Sequence, residues 1–178
     1  MHIIIDGYNL IRQSDTLRRQ ERLCLETGRN ALIQWVALYR KLRRHQVTIV
    51  FDGWENGSSI EERDRQAGID IIYSCRGDKA DDVIKRMAEK KKEDLVVVTS
   101  DRDIADFVCR RGATAISSME FEARINRLLA GVSSSAGLPD MDLNDRESDD
   151  ETTGDRKKGP ARRLSKKKKA AMTTLRKL

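Results

Sequence analysis

The chain has 178 residues, of which 38% are hydrophobic and 4% are aromatic, a size that suits one folded domain plus an appendage. It carries 35 Lys and Arg against 29 Asp and Glu, so its formal net charge is +6 at pH 7. No apolar run approaches the roughly 18 residues that a membrane span requires, and nothing near Met1 resembles a signal peptide, so we expect neither a membrane-spanning nor a secreted protein.

The first 52 residues predict two strands on either side of a long helical region. Residues 3–6 and 47–52 are apolar, largely β-branched runs, as is typical of buried parallel strands, and each ends on an aspartate. Between them, apolar residues recur at helical spacing over about residues 15–44, with a predicted break near Thr27-Gly28.

The next residues, up to about 130, alternate strands with helices. A polar loop follows Asp52 and continues as a charged segment to Gln66, for which we predict a mobile, substrate-facing loop. Strands are predicted at 69–73, 95–99 and 114–116, and helices at 79–92, 104–111 and 119–130. Asp78 and Ser118 are predicted as N-caps of two of these helices, and Gly112 as a C-terminal cap.

This alternation predicts a three-layer α/β fold of the Rossmann-like kind. We expect a mainly parallel sheet of about five strands, joined by right-handed crossovers, in the order 3-2-1-4-5. In that order the first and fourth strands are neighbours, and ligands bind outside the carboxyl ends of strands at such a switch point.

Charge divides the chain into three parts. Residues 1–131 carry a net charge of +2 and form the predicted domain. Residues 132–155 carry −7 and residues 156–178 carry +11. Because these two segments have too little apolar surface to offset the entropy of ordering, we predict a largely disordered tail, acidic and then basic.

The cysteines predict no metal site. Cys24, Cys75 and Cys109 are widely spaced and match no zinc-binding pattern. We therefore predict reduced thiols in a cytoplasmic protein, each acting as a small buried hydrophobic residue.

Aspartates at strand ends are the strongest functional signal. Asp6, Asp52 and Asp101 each follow an apolar run, so the fold would gather them at one edge of the sheet. Carboxylates held that close repel one another, and Mg²⁺ or Mn²⁺ would stabilise them. Each aspartate also has a plain structural reading as a turn or helix-capping residue.

Four further residues belong to this predicted site. Helical geometry places Asp81 at the border of the apolar stripe of its helix and Asp82 opposite the core, so Asp81 is the better candidate ligand. Asp103 is either a peripheral ligand or an acid favoured by the helix dipole. Asn9 would place an amide near a phosphate or a metal-bound water, or would cap the following helix.

The chain resembles the YacP-like branch of the NYN domains, which belong to the PIN-like nucleases. The resemblance rests on four pieces in order over about residues 1–130: Asp6-Gly7-Tyr8-Asn9, Phe51-Asp52, Ala80-Asp81-Asp82 and Thr99-Ser100-Asp101. It implies a PIN-like fold, metal-dependent endoribonuclease activity and an association with ribosomes, as in bacterial relatives. Carried over, Asp6, Asp81 and Asp101 are the metal-site and catalytic acids, supported by Asn9 and Asp52, and a further acid near Asp103 follows more loosely.

We therefore expect hydrolysis of RNA, mRNA included, with one or two Mg²⁺ or Mn²⁺ ions at these acids. No histidine is placed to form an acid–base pair instead, since His2 begins a strand and His45 lies in a turn. Candidate RNA-binding residues are Arg12, Arg76, Lys79, Arg102, Trp54, Lys166, Lys167, Lys168 and Lys169. Solvation of these side chains, or masking of the basic tail by the acidic segment, are the plain alternatives.

Two rival functions follow from the same residues. A non-catalytic RNA- or ribosome-binding module would keep the fold and the acids without cleavage. A phosphotransferase or phosphatase with Asp6 as nucleophile would need a second aspartate two residues later, where this chain has Tyr8.

Overall fold

A computed structural model of the protein describes residues 1–53, 59–90, 94–135 and 173. Its centre is a sheet of six strands: β1 His2–Asp6, β2 Gln46–Phe51, β3 Glu62–Gln66, β4 Ile69–Tyr73, β5 Leu95–Val98 and β6 Thr114–Ile116. Their order is β3-β4-β2-β1-β5-β6. All neighbouring strands are parallel except β3, which pairs antiparallel with β4.

Helices cover both faces of the sheet. They are α1 Gly7–Gln13, α2 Asp15–Leu23, α3 Leu25–Leu42, α4 Ala80–Lys90, α5 Arg102–Arg110 and α6 Ser118–Ser135. Successive residues of a strand point to opposite faces, so Ile3 and Ile5 pack with α1, α3 and α6, whereas Ile4 packs with α4 and α5. The predicted three-layer α/β architecture is confirmed, and so is the order of the five predicted strands.

Strand β3 was not predicted. Its five residues are Glu-Arg-Asp-Arg-Gln, and all of them are exposed, so no apolar alternation marks them as a strand. The turn into β4 uses Ala67 and Gly68, both with positive φ, in place of the Asn-Gly or Asp-Gly pair that signals a hairpin. A charged edge strand of this kind discourages pairing with other chains.

The helical break lies at Cys24, not at Thr27-Gly28 as predicted. Cys24 has extended backbone, and its Sγ accepts a hydrogen bond from the Thr27 amide at 3.5 Å. Gly28 serves close packing instead, because a Cβ there would lie 2.8 Å from the Cα of Glu21. The prediction that each cysteine is a small buried residue is wrong, since Cys24 is exposed and Cys75 and Cys109 are only partly buried; all three carry free thiols.

Helix α6 continues to Ser135, past the predicted end at Gly131. The remainder of the predicted tail lies outside the described residues, Thr173 excepted. Within the described part of the chain, no helix has both the length and the apolar character that a bilayer span requires.

Candidate active site

Asp6 is the last residue of β1, and its carboxylate is buried at the carboxyl edge of the sheet. One carboxylate oxygen accepts a hydrogen bond from the Asn9 amide at 3.3 Å, and the other accepts one from the Thr99 hydroxyl at 3.1 Å. Burial outweighs these hydrogen bonds and raises the pKa of Asp6 to about 6. The charged form is therefore poorly stabilised by the protein alone.

Gly7 lets the chain turn from β1 into α1 directly beside Phe51. A Cβ on Gly7 would lie 2.4 Å from the Cε1 atom of Phe51, whose side chain is fully buried. Only glycine fits this approach without displacing the ring, so Gly7 fixes where Asp6 ends the strand.

We expect Gly7→Ala to lower the free energy of unfolding by about 1–3 kcal/mol, because the added methyl overpacks the core against Phe51. Urea denaturation followed by circular dichroism measures this change. Gly131→Ala is the matched control, since a Cβ there meets nothing within 4 Å, and it is expected to be neutral or slightly stabilising in α6. Equal stability of the Gly7 variant and the wild type would contradict the packing account.

Asn9 is held rigidly at the same edge. Its Oδ1 accepts hydrogen bonds from the Ser100 amide at 2.9 Å and from the Ser118 hydroxyl at 2.8 Å. Because a backbone amide can only donate, the Ser100 contact fixes which side-chain atom is the oxygen. Among the described residues none accepts a hydrogen bond from Nδ2, so this donor is not used in holding Asn9.

Thr99 links the ends of β1 and β5. Its hydroxyl donates to Asp6, and its oxygen accepts a hydrogen bond from the Asp101 amide at 3.1 Å. Asp101 is exposed and caps α5, since its Oδ1 accepts from the amides of Asp103 at 2.7 Å and Ile104 at 3.3 Å. Asp101 thus performs the capping role that was the alternative, and its role as a metal ligand stays a prediction.

Asp52 holds the start of α4. Its Oδ1 accepts a hydrogen bond from the Ala80 amide at 2.6 Å, so Asp52, and not the predicted Asp78, satisfies the first amide of this helix. That contact fixes the first turn of α4 next to β2, and Asp81 is in that turn. Asp81 is half-buried, which is the main reason why its pKa is raised, and the charges of Asp101 and Asp52 raise it further.

Electrostatic interactions link four carboxylates through Asp6 and Asp81, since Asp52 acts on both and Asp101 acts on Asp81. We call Asp6, Asp52, Asp81 and Asp101 the acidic cluster. The charges of Asp81 and Asp52 add to the effect of burial on Asp6. The sequence placed these residues on different elements, and the order of the strands brings them to one edge.

Asp82 and Asp103 lie at the margin of the acidic cluster. Both are exposed, and Asp82 accepts a hydrogen bond from the Lys79 amide at 3.4 Å. Asp103 forms an ion pair with Lys85 at 2.5 Å, and that hydrogen bond lowers the pKa of Asp103. The Lys85 charge also lowers the pKa of Asp81, so Lys85 is a cation that faces the acidic cluster from α4.

A divalent cation fits the acidic cluster by charge and donor type. The described residues contain no group of three His, Cys, Asp or Glu side chains already arranged as a metal site. The raised pKa values of Asp6 and Asp81 nevertheless mark negative charge that the protein leaves poorly compensated. Oxygen donors suit Mg²⁺ and Mn²⁺, and Mg²⁺ binds commonly through one or two carboxylates while keeping several waters.

The predicted RNA-binding residues divide into those the structure describes and those it does not. Exposed side chains are present at Arg12, Arg76, Lys79 and Arg102. Outside the described residues lie Trp54, Lys166, Lys167, Lys168 and Lys169. Their contribution to RNA binding stays a prediction.

Three residues of the site were missed in the sequence. Thr99 looked like the last residue of an apolar strand, and Lys85 like one of many surface lysines. Ser118 was predicted as the N-cap of the last helix, but Ser117 has that role, since its Oγ accepts a hydrogen bond from the Glu120 amide. The Ser118 hydroxyl donates a hydrogen bond to Asn9 instead. The signals for Thr99 and Ser118 exist only once β1, β5 and the start of α6 are known to be neighbours, and the signal for Lys85 only once α4 is known to pack beside α5.

Comparison with known proteins supports the fold. The profile of the YacP-like NYN domain family matches residues 3–177, which extends beyond residue 130, where the sequence resemblance ended. The chain is 25% identical over 142 residues to YacP of Bacillus subtilis strain 168, a protein described as uncharacterized, covering 74% of this chain and 83% of that protein.

Two crystal structures of Rae1 (YacP) from Bacillus subtilis have a similar fold. A mutant of Rae1 superposes with a TM-score of 0.64 at 22% identity, covering 78% of this chain and 86% of that chain. A second Rae1 structure gives a TM-score of 0.63, also at 22% identity, covering 76% and 79%. At this level of identity the likeness concerns the fold.

Proposed function

The chain belongs to the YacP-like NYN domain family, and on that premise we propose that it is a metal-dependent endoribonuclease that hydrolyses RNA phosphodiester bonds. NYN domains are PIN-like and are generally nucleases. The observation that supports the proposal is that the acidic cluster lies at the carboxyl edge of the sheet, where the pKa values of Asp6 and Asp81 are raised by burial and by neighbouring carboxylates.

In this proposal Asp6, Asp81 and Asp101 hold Mg²⁺ or Mn²⁺, and Asp52 supports them by fixing α4. A bound divalent ion supplies Lewis-acid activation of a water molecule and stabilises charge on the leaving oxygen. Because burial raises the pKa of Asp6 to about 6, a proton on this carboxylate would compete with the cation below that pH, and binding would strengthen as the pH rises through about 6. Thr99 keeps the Asp6 carboxylate oriented through its hydroxyl.

Asn9 orients the substrate in the same proposal. Its Nδ2 group donates to a phosphate oxygen while Ser100 and Ser118 hold its Oδ1. Neither histidine serves as an acid or a base here, because His2 contacts Thr48 near the start of β2 and His45 contacts Tyr39 near the end of α3. Proton transfer therefore depends on the carboxylates and on water.

The alternative is a non-catalytic RNA- or ribosome-binding module. The observation in its favour is that Asp52 and Asp101 each satisfy a helix N-terminus, which is reason enough to keep both without any metal. An mRNA target, association with the ribosome and a cytoplasmic location stay predictions under either function.

A cleavage assay on single-stranded RNA separates the two functions. We expect the full-length protein to cut the RNA internally with Mn²⁺ or Mg²⁺ and to leave it intact in EDTA, with activity restored when the metal is added back. Intact RNA under all conditions, together with binding of that RNA, would favour the binding module. Equal cleavage in EDTA would contradict the metal requirement.

A further inference from the structure

An arginine lies between two tyrosine rings beside the acidic cluster. The guanidinium carbon of Arg29 is 5.9 Å from the centre of the Tyr8 ring and 5.5 Å from that of Tyr73. Phe51 completes the platform, since it stacks on Tyr73 at 5.6 Å and meets Tyr8 edge-on at 5.2 Å. We call Arg29, Tyr8 and Tyr73 the arginine–tyrosine cluster.

Arg29 has no anionic partner among the described residues. Its Nε is buried without a hydrogen-bond acceptor, and so is the hydroxyl of Tyr8. The terminal nitrogens of Arg29 are not among the buried unpaired atoms, so they reach solvent. A partly desolvated guanidinium that keeps open donors and lacks a carboxylate is suited to an external anion.

The cluster lies at the same edge of the sheet as the acids. Tyr8 follows Asp6 by two positions, and Tyr73 is in register with Phe51, the residue before Asp52. Arg29 belongs to α3, on the face of the sheet opposite α4. The arginine–tyrosine cluster and the first turn of α4 therefore flank the acidic cluster from the two faces.

We propose that Arg29, stacked between Tyr8 and Tyr73, binds a backbone phosphate of single-stranded RNA next to the phosphodiester held at the acidic cluster. This assignment rests on the proposed function and names a residue that binds the RNA beside the site of cleavage. The planar guanidinium is held by the two rings, so little of its freedom is lost on binding. Arg12 is exposed, and its guanidinium carbon is 5.7 Å from the centre of the Tyr8 ring, so in this proposal it contacts the RNA strand next to Arg29.

The test is RNA binding by the full-length protein with Arg29→Met, Arg29→Lys and Arg44→Met. Affinity for a short fluorescein-labelled single-stranded RNA is measured by anisotropy in EDTA over a range of salt, and KM and kcat are measured with Mn²⁺. Arg44 is the matched control, because it is exposed in the turn before β2 at the opposite end of the sheet. Urea denaturation checks that each variant is folded.

We expect Arg29→Met to weaken binding about tenfold and to reduce the salt slope by about 0.7, the value of one phosphate contact on a single strand. Its KM should rise with little change in kcat. Arg29→Lys should keep the slope and bind with intermediate affinity, since it retains the charge but not the planar stack, and Arg44→Met should match the wild type.

Wild-type affinity and slope in a folded Arg29→Met protein would overturn this assignment while leaving the nuclease proposal intact. An equal loss in Arg44→Met would overturn it too, because the effect would then be one of overall charge. If the wild type binds RNA but never cuts it, and Arg29→Met binds more weakly, the binding site stands and the nuclease proposal fails.

Discussion

Replacing Asp6 by asparagine is expected to lower the rate of RNA cleavage at least about a hundredfold while making the metal-free protein more stable. Loss of rate follows because Asp6 is the buried acid of the cluster, and a neutral amide cannot hold a divalent cation in the same way. Cleavage of single-stranded RNA with saturating Mn²⁺ measures the rate. Asp70→Asn is the control, because Asp70 is near the start of β4, at the opposite end of the sheet from the acidic cluster. This variant should cut RNA like the wild type.

The pKa shift of Asp6 is opposite in direction to that of most aspartates in folded proteins, so its ionised carboxylate lowers the stability of the fold. The pKa of Asp6 is raised to about 6 in the folded protein from an ordinary 3.8, so the folded state favours the protonated form. The stability that Asp6 contributes is complete below about pH 4 and is lost as the pH rises through about 6. At about pH 8 this loss corresponds to about 3 kcal/mol, which an uncharged asparagine avoids.

We expect Asp6→Asn to raise the free energy of unfolding at about pH 8 in EDTA by about 1–3 kcal/mol, the lower value allowing for imperfect hydrogen bonds from the new amide to Thr99. Urea denaturation at about pH 8 and about pH 4 measures the difference, and it should nearly vanish at the lower pH. A variant that is less stable than the wild type at about pH 8 would contradict the view that Asp6 is an uncompensated buried charge.

Divalent cations are expected to raise the melting temperature of the wild type strongly, and more so at about pH 8 than at about pH 5. A cation present at a hundred times its dissociation constant stabilises the folded state by about 2.7 kcal/mol, which for a domain of this size is about 10 °C. At the lower pH a proton on Asp6 competes with the cation, so the shift should shrink. Differential scanning fluorimetry with Mn²⁺ and Mg²⁺ measures both shifts.

Two aspartate variants serve as controls for this rise in melting temperature. Asp6→Asn should abolish most of the shift, whereas Asp103→Asn should keep it, because the Asp103 carboxylate is exposed and paired with Lys85. A shift of equal size in the wild type and in Asp6→Asn would show that the cations act elsewhere on the protein.

The parallel strands could be predicted from the sequence because their apolar, β-branched runs carry a strong signal. Strand β3 could not be predicted, since it is stabilised by hydrogen bonds to β4 and has no buried face of its own. The break at Cys24 was missed because Gly28 looked like a helix breaker. Gly28 is in fact required where α2 packs on α3, and this contact cannot be seen in the sequence.

The aspartates at strand ends, and capping as their alternative role, could be predicted from the sequence, but the partners that they contact could not. That Asp52 caps α4 depends on a contact between residues 28 positions apart. That Ser118 holds Asn9 depends on one between residues 109 positions apart. Such contacts exist only in the folded topology, and they hold Asp52 and Asn9 in place at this edge of the sheet.

The most direct test of the central claim is the position of Mn²⁺ in crystals of the full-length protein, located by anomalous diffraction. If the acidic cluster binds a metal, we expect an anomalous peak for Mn²⁺ within bonding distance of the Asp6 carboxylate and of Asp81 or Asp101. We expect no such peak in crystals of Asp6→Asn. Anomalous peaks found only elsewhere, with the Asp6 carboxylate still accepting hydrogen bonds from Asn9 and Thr99 and nothing else, would contradict it.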